Sequence, residues 1–355
     1  MSYTDFLHAP RSVAVALMSI VCHVCGNAFC GCFTSGLWLQ GDSCLQFFEE
    51  YVRLTFCCMC SMAYCASAPG ENFCKNHMEG FRFNGVTVLN DFISEEEETT
   101  LIKKIDESPW LPSQSGRNKQ DFGVKVNFKK QRIAFKYFTG LPDYSRFLVQ
   151  RLHQRMRVDG AKFEDFYPVE LCNLEYLPER GAAITPHVDD TWLWGERIVL
   201  LNLSSATSMT FTLPASGPGV SEEWERYKVF AASQVPSPQV NLPPSIAVPL
   251  PRRSLLIMAG KARFTWLHAI NREDILERRL SLTMRELSDE YLPPYPEIRD
   301  FAVCPKEKRT LWDGESFATS LTPNQQLGLR LIRTAATFSG VCIAVTSGEA
   351  ALPKR

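Results

Sequence analysis

The chain has 355 residues, of which 45% are hydrophobic and 22% charged, a make-up that excludes a disordered or fibrous protein and fits a globular one of one large domain or two ordinary ones. Thirty-eight Lys and Arg stand against 39 Asp and Glu, a formal net charge of -1, so no overall basic field holds a nucleic acid and any such contact must come from a local patch. Most of the 13 cysteines crowd the first 74 residues: Cys22, Cys25, Cys30, Cys32, Cys44, Cys57, Cys58, Cys60, Cys65 and Cys74. A secreted disulfide framework would spread them through the folded part, so the rest reads as a reduced, intracellular domain behind a separate head.

Residues 1–78 are that head. Ser12 to Val21 is apolar and follows Arg11, like the core of a signal peptide, but it is too short to span a membrane. Asp5 and the lack of a small-x-small cleavage pattern argue against secretion. Cys22-x-x-Cys25, Cys30-x-Cys32 and Cys57-Cys58-x-Cys60, with His23 and His77, supply zinc-type ligands. Their irregular spacing makes idle thiols the plainer reading.

The expected domain runs over 79–290. Gly85 to Phe92 reads as a strand entering a turn. Ser94 then caps a helix with Glu97 three residues on, and Leu101, Ile102 and Ile105 form its apolar face. A second helix is predicted from Tyr144 to Arg157, with Phe147, Leu148, Leu152 and Met156 inward. From residue 169 strands take over: Val169–Tyr176, Arg197–Leu203, Met209–Leu213, Ile246–Leu250, Ser254–Ala259 and Arg279–Leu287. An insertion is placed at about 214–243, a loop or insertion at 291–322, and a last helix within 323–341. Helices followed by many short strands predict an α+β domain built on a β-sandwich or barrel.

His187-Val188-Asp189 carries the first chemical signal. Residues two apart on an extended segment point to one side, so both side chains reach one ion. Six histidines give ~0.3 such pairs by chance, so the motif alone decides little. His268 lies beyond an apolar run and the turn at Gly260. Two imidazoles and a carboxylate leave three positions open on iron(II), as oxygen activation requires. Arg279-Leu280-Ser281-Leu282-Thr283-Met284-Arg285 then puts two guanidiniums on one face of a strand. Buried there they need anionic partners, and a dicarboxylate meets them through forked contacts.

His-x-Asp, a distal His, and Arg-x-Ser-x-Thr-x-Arg together resemble the AlkB family of dioxygenases, whose last motif carries Asn where Ser281 stands. Residues 113–131, 172–197 and 278–287 carry the resemblance, which spans about 80–290. It implies a double-stranded β-helix, or jelly roll, with supporting N-terminal helices. It implies iron(II) held by His187, Asp189 and His268, and 2-oxoglutarate held by Arg279 with Tyr176 in support. Arg285 would stand near the chelating end of the co-substrate or the substrate. Asn173, three residues before Tyr176 rather than the family's two, is the candidate partner of that tyrosine, with Leu174 in the expected place. The activity implied is oxidative N-demethylation that releases formaldehyde, succinate and carbon dioxide. One animal branch of the family implies monomethyl-lysine on a protein, actin being the suspected partner, or 6-methyladenine in DNA. It also implies a monomer of the cytoplasm and nucleus, not bound to a membrane.

Each reading has a plainer rival. Arg279 could serve a structural ion pair, and Asp190 should point away from the metal. Trp192 and Trp194 fit a substrate wall or the core equally well. Arg117, Lys119, Lys125, Lys129, Lys130, Arg132 and Lys136 oppose Asp121 alone. Arg117, Lys125 and Lys129 are the candidates to touch substrate. The run suits phosphates, an acidic protein surface, or a solvated face. The rival for the whole chain is a scaffold that keeps the fold to bind actomyosin or chromatin.

Overall fold

Alternation of apolar and polar residues builds strands such as β1 (Val52–Cys57) and β16 (Arg279–Leu287), and the parity of each residue on a strand decides which of two cores it feeds. In a computed structural model the described residues are 51–65, 79–158, 166–235, 239–292 and 321–342. Sixteen strands occur among them: β1 (Val52–Cys57), β2 (Met62–Cys65), β3 (Phe81–Arg82), β4 (Val86–Leu89), β5 (Leu111–Pro112), β6 (Asn118–Phe122), β7 (Lys125–Asn127), β8 (Arg132–Ala134), β9 (Glu170–Tyr176), β10 (Ile184–His187), β11 (Trp194–Leu203), β12 (Thr207–Thr212), β13 (Pro244–Leu250), β14 (Leu255–Met258), β15 (Leu267–Ile270) and β16 (Arg279–Leu287). The helices are α1 (Glu95–Asp106), α2 (Arg146–Val158), α3 (Val220–Gln234), α4 (Gly260–Phe264) and α5 (Pro323–Ala335).

Two seven-stranded sheets form, ordered β10-β15-β12-β13-β1-β2-β3 and β4-β14-β11-β16-β9-β6-β5, with β7-β8 as a separate hairpin. The chain crosses between sheets repeatedly, as in a jelly roll. Along β11, Ile198 and Leu200 join one core while Val199, Leu201 and Leu203 join the other. The inner core lies between the sheets and takes Val86, Val88, Leu256 and Met258 from one, and Leu54, Phe56, Phe211 and Ile246 from the other. The outer core takes Leu280, Leu282 and Met284 of β16 and packs them under the helices.

Helix α1 starts at Ser94 with a complete capping box: the Ser94 hydroxyl accepts from the Glu97 amide, and the Glu97 carboxylate accepts from the Ser94 amide. Its Leu101 and Ile105 are buried. The predicted second helix and last helix both form, as α2 and α5. Gly328 of α5 lies against Tyr291, so closely that a Cβ there would stand 1.8 Å from the Tyr291 carbonyl oxygen.

Two boundary readings change. The head does not extend to residue 78, because Val52, Leu54 and Phe56 alternate into the inner core and β1 pairs in parallel with β13, Val52 opposite Pro244. The stretch 214–243 contributes Val220, Tyr227 and Ala231 of α3 to the same core and is no mere insertion. Residues 293–320 of the expected loop, and the cysteines and histidines of the head before residue 51, lie outside the described residues. Cys57, Cys58, Cys60 and Cys65 lie on the β1–β2 hairpin and form no disulfide with one another. They gather no ligand set of the kind expected for zinc: among the described residues the metal-capable group is elsewhere.

Candidate metal and co-substrate site

Strands β10 and β15 pair antiparallel with His187 opposite His268, which sets the two imidazoles side by side with ring centres 4.2 Å apart. Asp189 follows β10 directly. His187, Asp189 and His268 each offer a ligand atom, and these atoms lie within 4.8 Å of one another. The His187 Nε2 stands 3.9 Å from Asp189 Oδ1, and the His268 Nε2 stands 3.8 Å from Asp189 Oδ2. The other nitrogen of His187, Nδ1, hydrogen-bonds the Thr185 carbonyl at 2.9 Å, which leaves Nε2 to carry the lone pair. Two imidazoles and a carboxylate on one face are the donor set suited to iron(II) with open positions.

Charge around this face favours ligation. Burial raises the Asp189 pKa, but Arg285, His268, His187 and Arg263 together pull it well below the carboxylate range. Burial, reinforced by His187, pushes His268 down to about 3, so its imidazole is neutral at pH 7. Both ligands are therefore in their binding forms.

The opposing sheet supplies a second feature. On β16, Arg279, Ser281, Thr283 and Arg285 face inward, as the alternation predicted, because Leu280, Leu282 and Met284 go to the outer core. Arg279 is fully buried; its Nε donates to Asn202 Oδ1 at 2.7 Å and its guanidinium lies 4.6 Å from the centre of the Tyr176 ring. Its two terminal nitrogens and the Ser281 hydroxyl make no hydrogen bond. Burial lowers the Arg279 pKa, with Tyr176 opposing. A buried guanidinium with a free two-toothed fork is strongly unfavourable without an anion, and a carboxylate matches it in shape and charge. The residues thus fit both iron and a dicarboxylate.

Arg285 lies beside the metal ligands. It donates from Nη2 to Asp189 Oδ1 at 3.2 Å and from Nη1 to Glu170 Oε2 at 2.9 Å, so it orients a metal ligand. Burial lowers its pKa, but Asp189 and Glu170 outweigh that and raise it. Asn173 is a correction. Tyr176 and Leu174 pack toward the inner core, so Asn173 points to the outer face, where its amide donates to Gln120 Oε1 at 2.8 Å and to the Tyr144 hydroxyl at 2.7 Å. It cannot reach the co-substrate.

The substrate candidates divide. Arg117 is buried, 7% exposed, and its Nε donates to the Gln114 carbonyl, so it is a loop brace and not a substrate contact. Trp194 is a core residue with the Arg285 guanidinium 6.0 Å from its ring centre. Trp192 packs half-buried on the outer core near Tyr291. Lys125 lies over the Tyr137 ring at 5.3 Å, and Lys129 sits at the tip of the β7–β8 hairpin. That hairpin leaves the sheet at Gly123, whose α-carbon lies against Glu170.

Three residues escaped the sequence reading. Asn202 holds Arg279 while its amide donates to the Ser205, Leu250 and Pro251 carbonyls. Arg263, fully buried, donates to the Asp189 carbonyl at 2.9 Å and to those of Asp190 and Trp194, which fixes the loop after His187. Glu170 pairs with Arg285. The need of two inward arginines for counter-charges was the available signal; their partners lie on strands distant in sequence.

Comparison with known proteins agrees with this geometry. Residues 85–285 match the 2OG-Fe(II) oxygenase superfamily. The chain is 45% identical over 250 residues to the mouse alpha-ketoglutarate-dependent dioxygenase alkB homolog 4, covering 66% of this chain and 79% of the relative. It is 46% identical over 221 residues to the human protein of the same name, covering 60% and 70%. It is also 34% identical over 208 residues, 59% of this chain and 62% of the relative, to a Caenorhabditis elegans DNA N6-methyl adenine demethylase.

Proposed function

Because this chain belongs to the 2OG-Fe(II) oxygenase superfamily and is an AlkB-type dioxygenase acting as a demethylase, we propose that it removes N-methyl groups from lysine on a protein such as actin, at a centre made by His187, Asp189 and His268 with Arg279. The observation that carries the site is the convergence of three ligand atoms within 4.8 Å of one another, beside a buried arginine whose fork has no partner.

Iron and 2-oxoglutarate, when bound, supply with dioxygen the oxidation of a methyl C–H bond to C–OH, the co-substrate leaving as succinate and carbon dioxide. The protein's residues do the rest. Arg279 takes the distal carboxylate and so fixes the direction in which the co-substrate enters. Arg285 occupies one oxygen of Asp189 and leaves Oδ2 turned toward His268. Thr185 holds the His187 tautomer, and burial keeps His268 unprotonated. Phe211 of the inner core packs beside His268, its ring centre 6.3 Å from that of the imidazole, and backs the buried side of the site. The hydroxymethyl amine that results breaks its C–N bond and releases formaldehyde.

Protein is favoured as substrate by the near-neutral charge of the chain, which offers no long-range attraction to phosphates. A second reading, 6-methyladenine in DNA, draws on the name of the C. elegans relative and on the basic run through Lys125, Lys129 and Lys130. A scaffold without chemistry would have no need of a ligand set held in its binding protonation state. We place the protein in the cytoplasm and nucleus as a monomer; no helix among the described residues is long and apolar enough to cross a membrane.

The test is succinate and formaldehyde release by the full chain with iron(II) and 2-oxoglutarate. A monomethyl-lysine actin peptide and a 6-methyladenine oligonucleotide are compared, beside a His187→Ala/Asp189→Ala control. Formaldehyde from the peptide that vanishes in the control is the expected result. Release from the oligonucleotide alone would move the DNA reading to first place, and none from either would sink both.

A further inference from the structure

We propose that Glu170 is a positioning residue for the metal site, acting through Arg285 to decide which oxygen of Asp189 is left free beside His268 and to keep that carboxylate available to a divalent cation. The inference rests on the ligand assignment above.

The register sets the pair. Arg285 on β16 lies opposite Glu170 on β9. Its guanidinium spans the two carboxylates, 2.9 Å to Glu170 Oε2 and 3.2 Å to Asp189 Oδ1. The three side chains are nearly buried, 14% exposed for Glu170, 17% for Arg285 and 13% for Asp189, so water screens them little. Asp189 Oδ2 receives no hydrogen bond and is the oxygen nearest His268. Arg285 therefore works as a selector: it binds one oxygen and leaves the other to the metal.

A lone guanidinium at 3.2 Å from Asp189 would do harm as well as good. It would neutralise the ligand and repel an incoming cation. Glu170 accepts from one terminal nitrogen of the guanidinium and offsets its charge, so the trio carries net -1 where the Arg285–Asp189 pair alone would carry none. It also holds the guanidinium in plane, since the Trp194 ring, 6.0 Å away, offers only a face to lean on. Glu170 is itself confined: a Cβ on Gly123 would stand 2.7 Å from its Cγ, so the bare backbone of Gly123 is what lets Glu170 lie where it does.

The same strand provides a control. Glu175, on the opposite face of β9, pairs with Arg278 at 2.7 Å and has no contact with the ligands. A merely stabilising salt bridge should behave alike at both positions.

The experiment is an anaerobic titration of the full chain with Co(II), read by visible absorption, and of the same proteins with 2-oxoglutarate at saturating Co(II). Outer-sphere partners of this kind typically tune metal affinity by about 10- to 100-fold. Glu170→Gln, which keeps shape and removes charge, is expected to raise the Co(II) Kd about tenfold or more. Gly123→Ala, which changes no charge and only displaces Glu170, is expected to raise it at least about threefold. Glu175→Gln should leave it unchanged, and the 2-oxoglutarate Kd should stay within about twofold in all three, since Arg279 is untouched. Co(II) affinities of folded Glu170→Gln and Gly123→Ala within twofold of the parent overturn the inference. If circular dichroism shows Glu170→Gln unfolded, Gly123→Ala decides. A parent chain that binds no Co(II), or a His187→Ala variant that binds it equally well, overturns the ligand assignment itself, which separates the two failures.

Discussion

Replacing Arg279 with Met separates binding from stability, because the two should move in opposite directions. The parent guanidinium is fully buried and uses only Nε, leaving two donors for the co-substrate carboxylate. Hydrogen bonds to a charged partner contribute about 1.5–3 kcal/mol each. Losing two weakens 2-oxoglutarate binding by about 3–6 kcal/mol, hence by about 10²- to 10⁴-fold at 1.4 kcal/mol per tenfold. The ligand-free protein should instead gain. A buried and incompletely paired charge replaced by an apolar side chain of similar length returns about 1–4 kcal/mol. The unpaired Asn202 Oδ1 takes back about 1 kcal/mol of this, while the Asn202 amide keeps its three carbonyl partners. The assay is thermal unfolding with Mn(II) in place of iron, with and without 2-oxoglutarate. In the parent, ligand at 100 times its Kd adds about 2.7 kcal/mol. In Arg279→Met the midpoint without ligand should be equal or higher, and the ligand-induced rise should vanish. A variant whose Kd for 2-oxoglutarate stays within threefold of the parent refutes the assignment of the fork.

Asn202→Ala should loosen Arg279 and take a donor from the Ser205 and Leu250 carbonyls, while Pro251 keeps its bonds from Ser254, which at about 1 kcal/mol per bond lowers stability by about 2 kcal/mol; equilibrium denaturation measures it, and a loss under 1 kcal/mol counts against this bracing role. Glu97 is lowered to about 2 from 4.5, chiefly by its hydrogen bond to Arg151, so the stability it adds is present above pH 4.5 and is lost as pH falls toward 2. Both partners are about a third exposed, so the pair and cap together are expected to contribute only about 1 kcal/mol at pH 7, and Glu97→Gln should flatten the acid limb of the stability curve. Gly328→Ala would drive a methyl into the Tyr291 carbonyl and is expected to cost about 1–3 kcal/mol, seen as a lower unfolding midpoint; an unchanged midpoint would mean that α5 does not dock there.

The metal ligands were legible because their chemistry needs residue types that are rare in this chain. His187 and His268 stood out among six histidines, Asp189 by standing two residues after the first of them, and the alternation of β16 told which of its residues face inward. Long strands with apolar alternation were legible for the same reason. Strands β10 and β15 were not: four residues each, reading Ile-Thr-Pro-His and Leu-His-Ala-Ile, are too short and too mixed to show a period. They form because their neighbours hold them, β15 between β10 and β12, and β10 at the sheet's edge against β15. Strand β1 does alternate, Val52, Leu54 and Phe56 going inward, but the cysteines around it drew the reading toward a separate head. Asn173 was misassigned by one step of parity, which on a strand is a change of face. Asn202, Arg263 and Glu170 could not be found by pattern, since each earns its role from a partner 74 to 115 residues away.

Strand β1 has a practical consequence for anyone shortening this protein. It is the parallel neighbour of β13 and lends Leu54 and Phe56 to the space between the sheets. A truncation at residue 78, which the cysteine-rich composition invites, would leave the rim of β13 with open amides and carbonyls from Pro244 to Ala247 and bare an apolar groove beside them. Exposed rims of that kind recruit other chains, so such a fragment should be made as inclusion bodies, whereas one that begins before Tyr51 keeps its flank sealed.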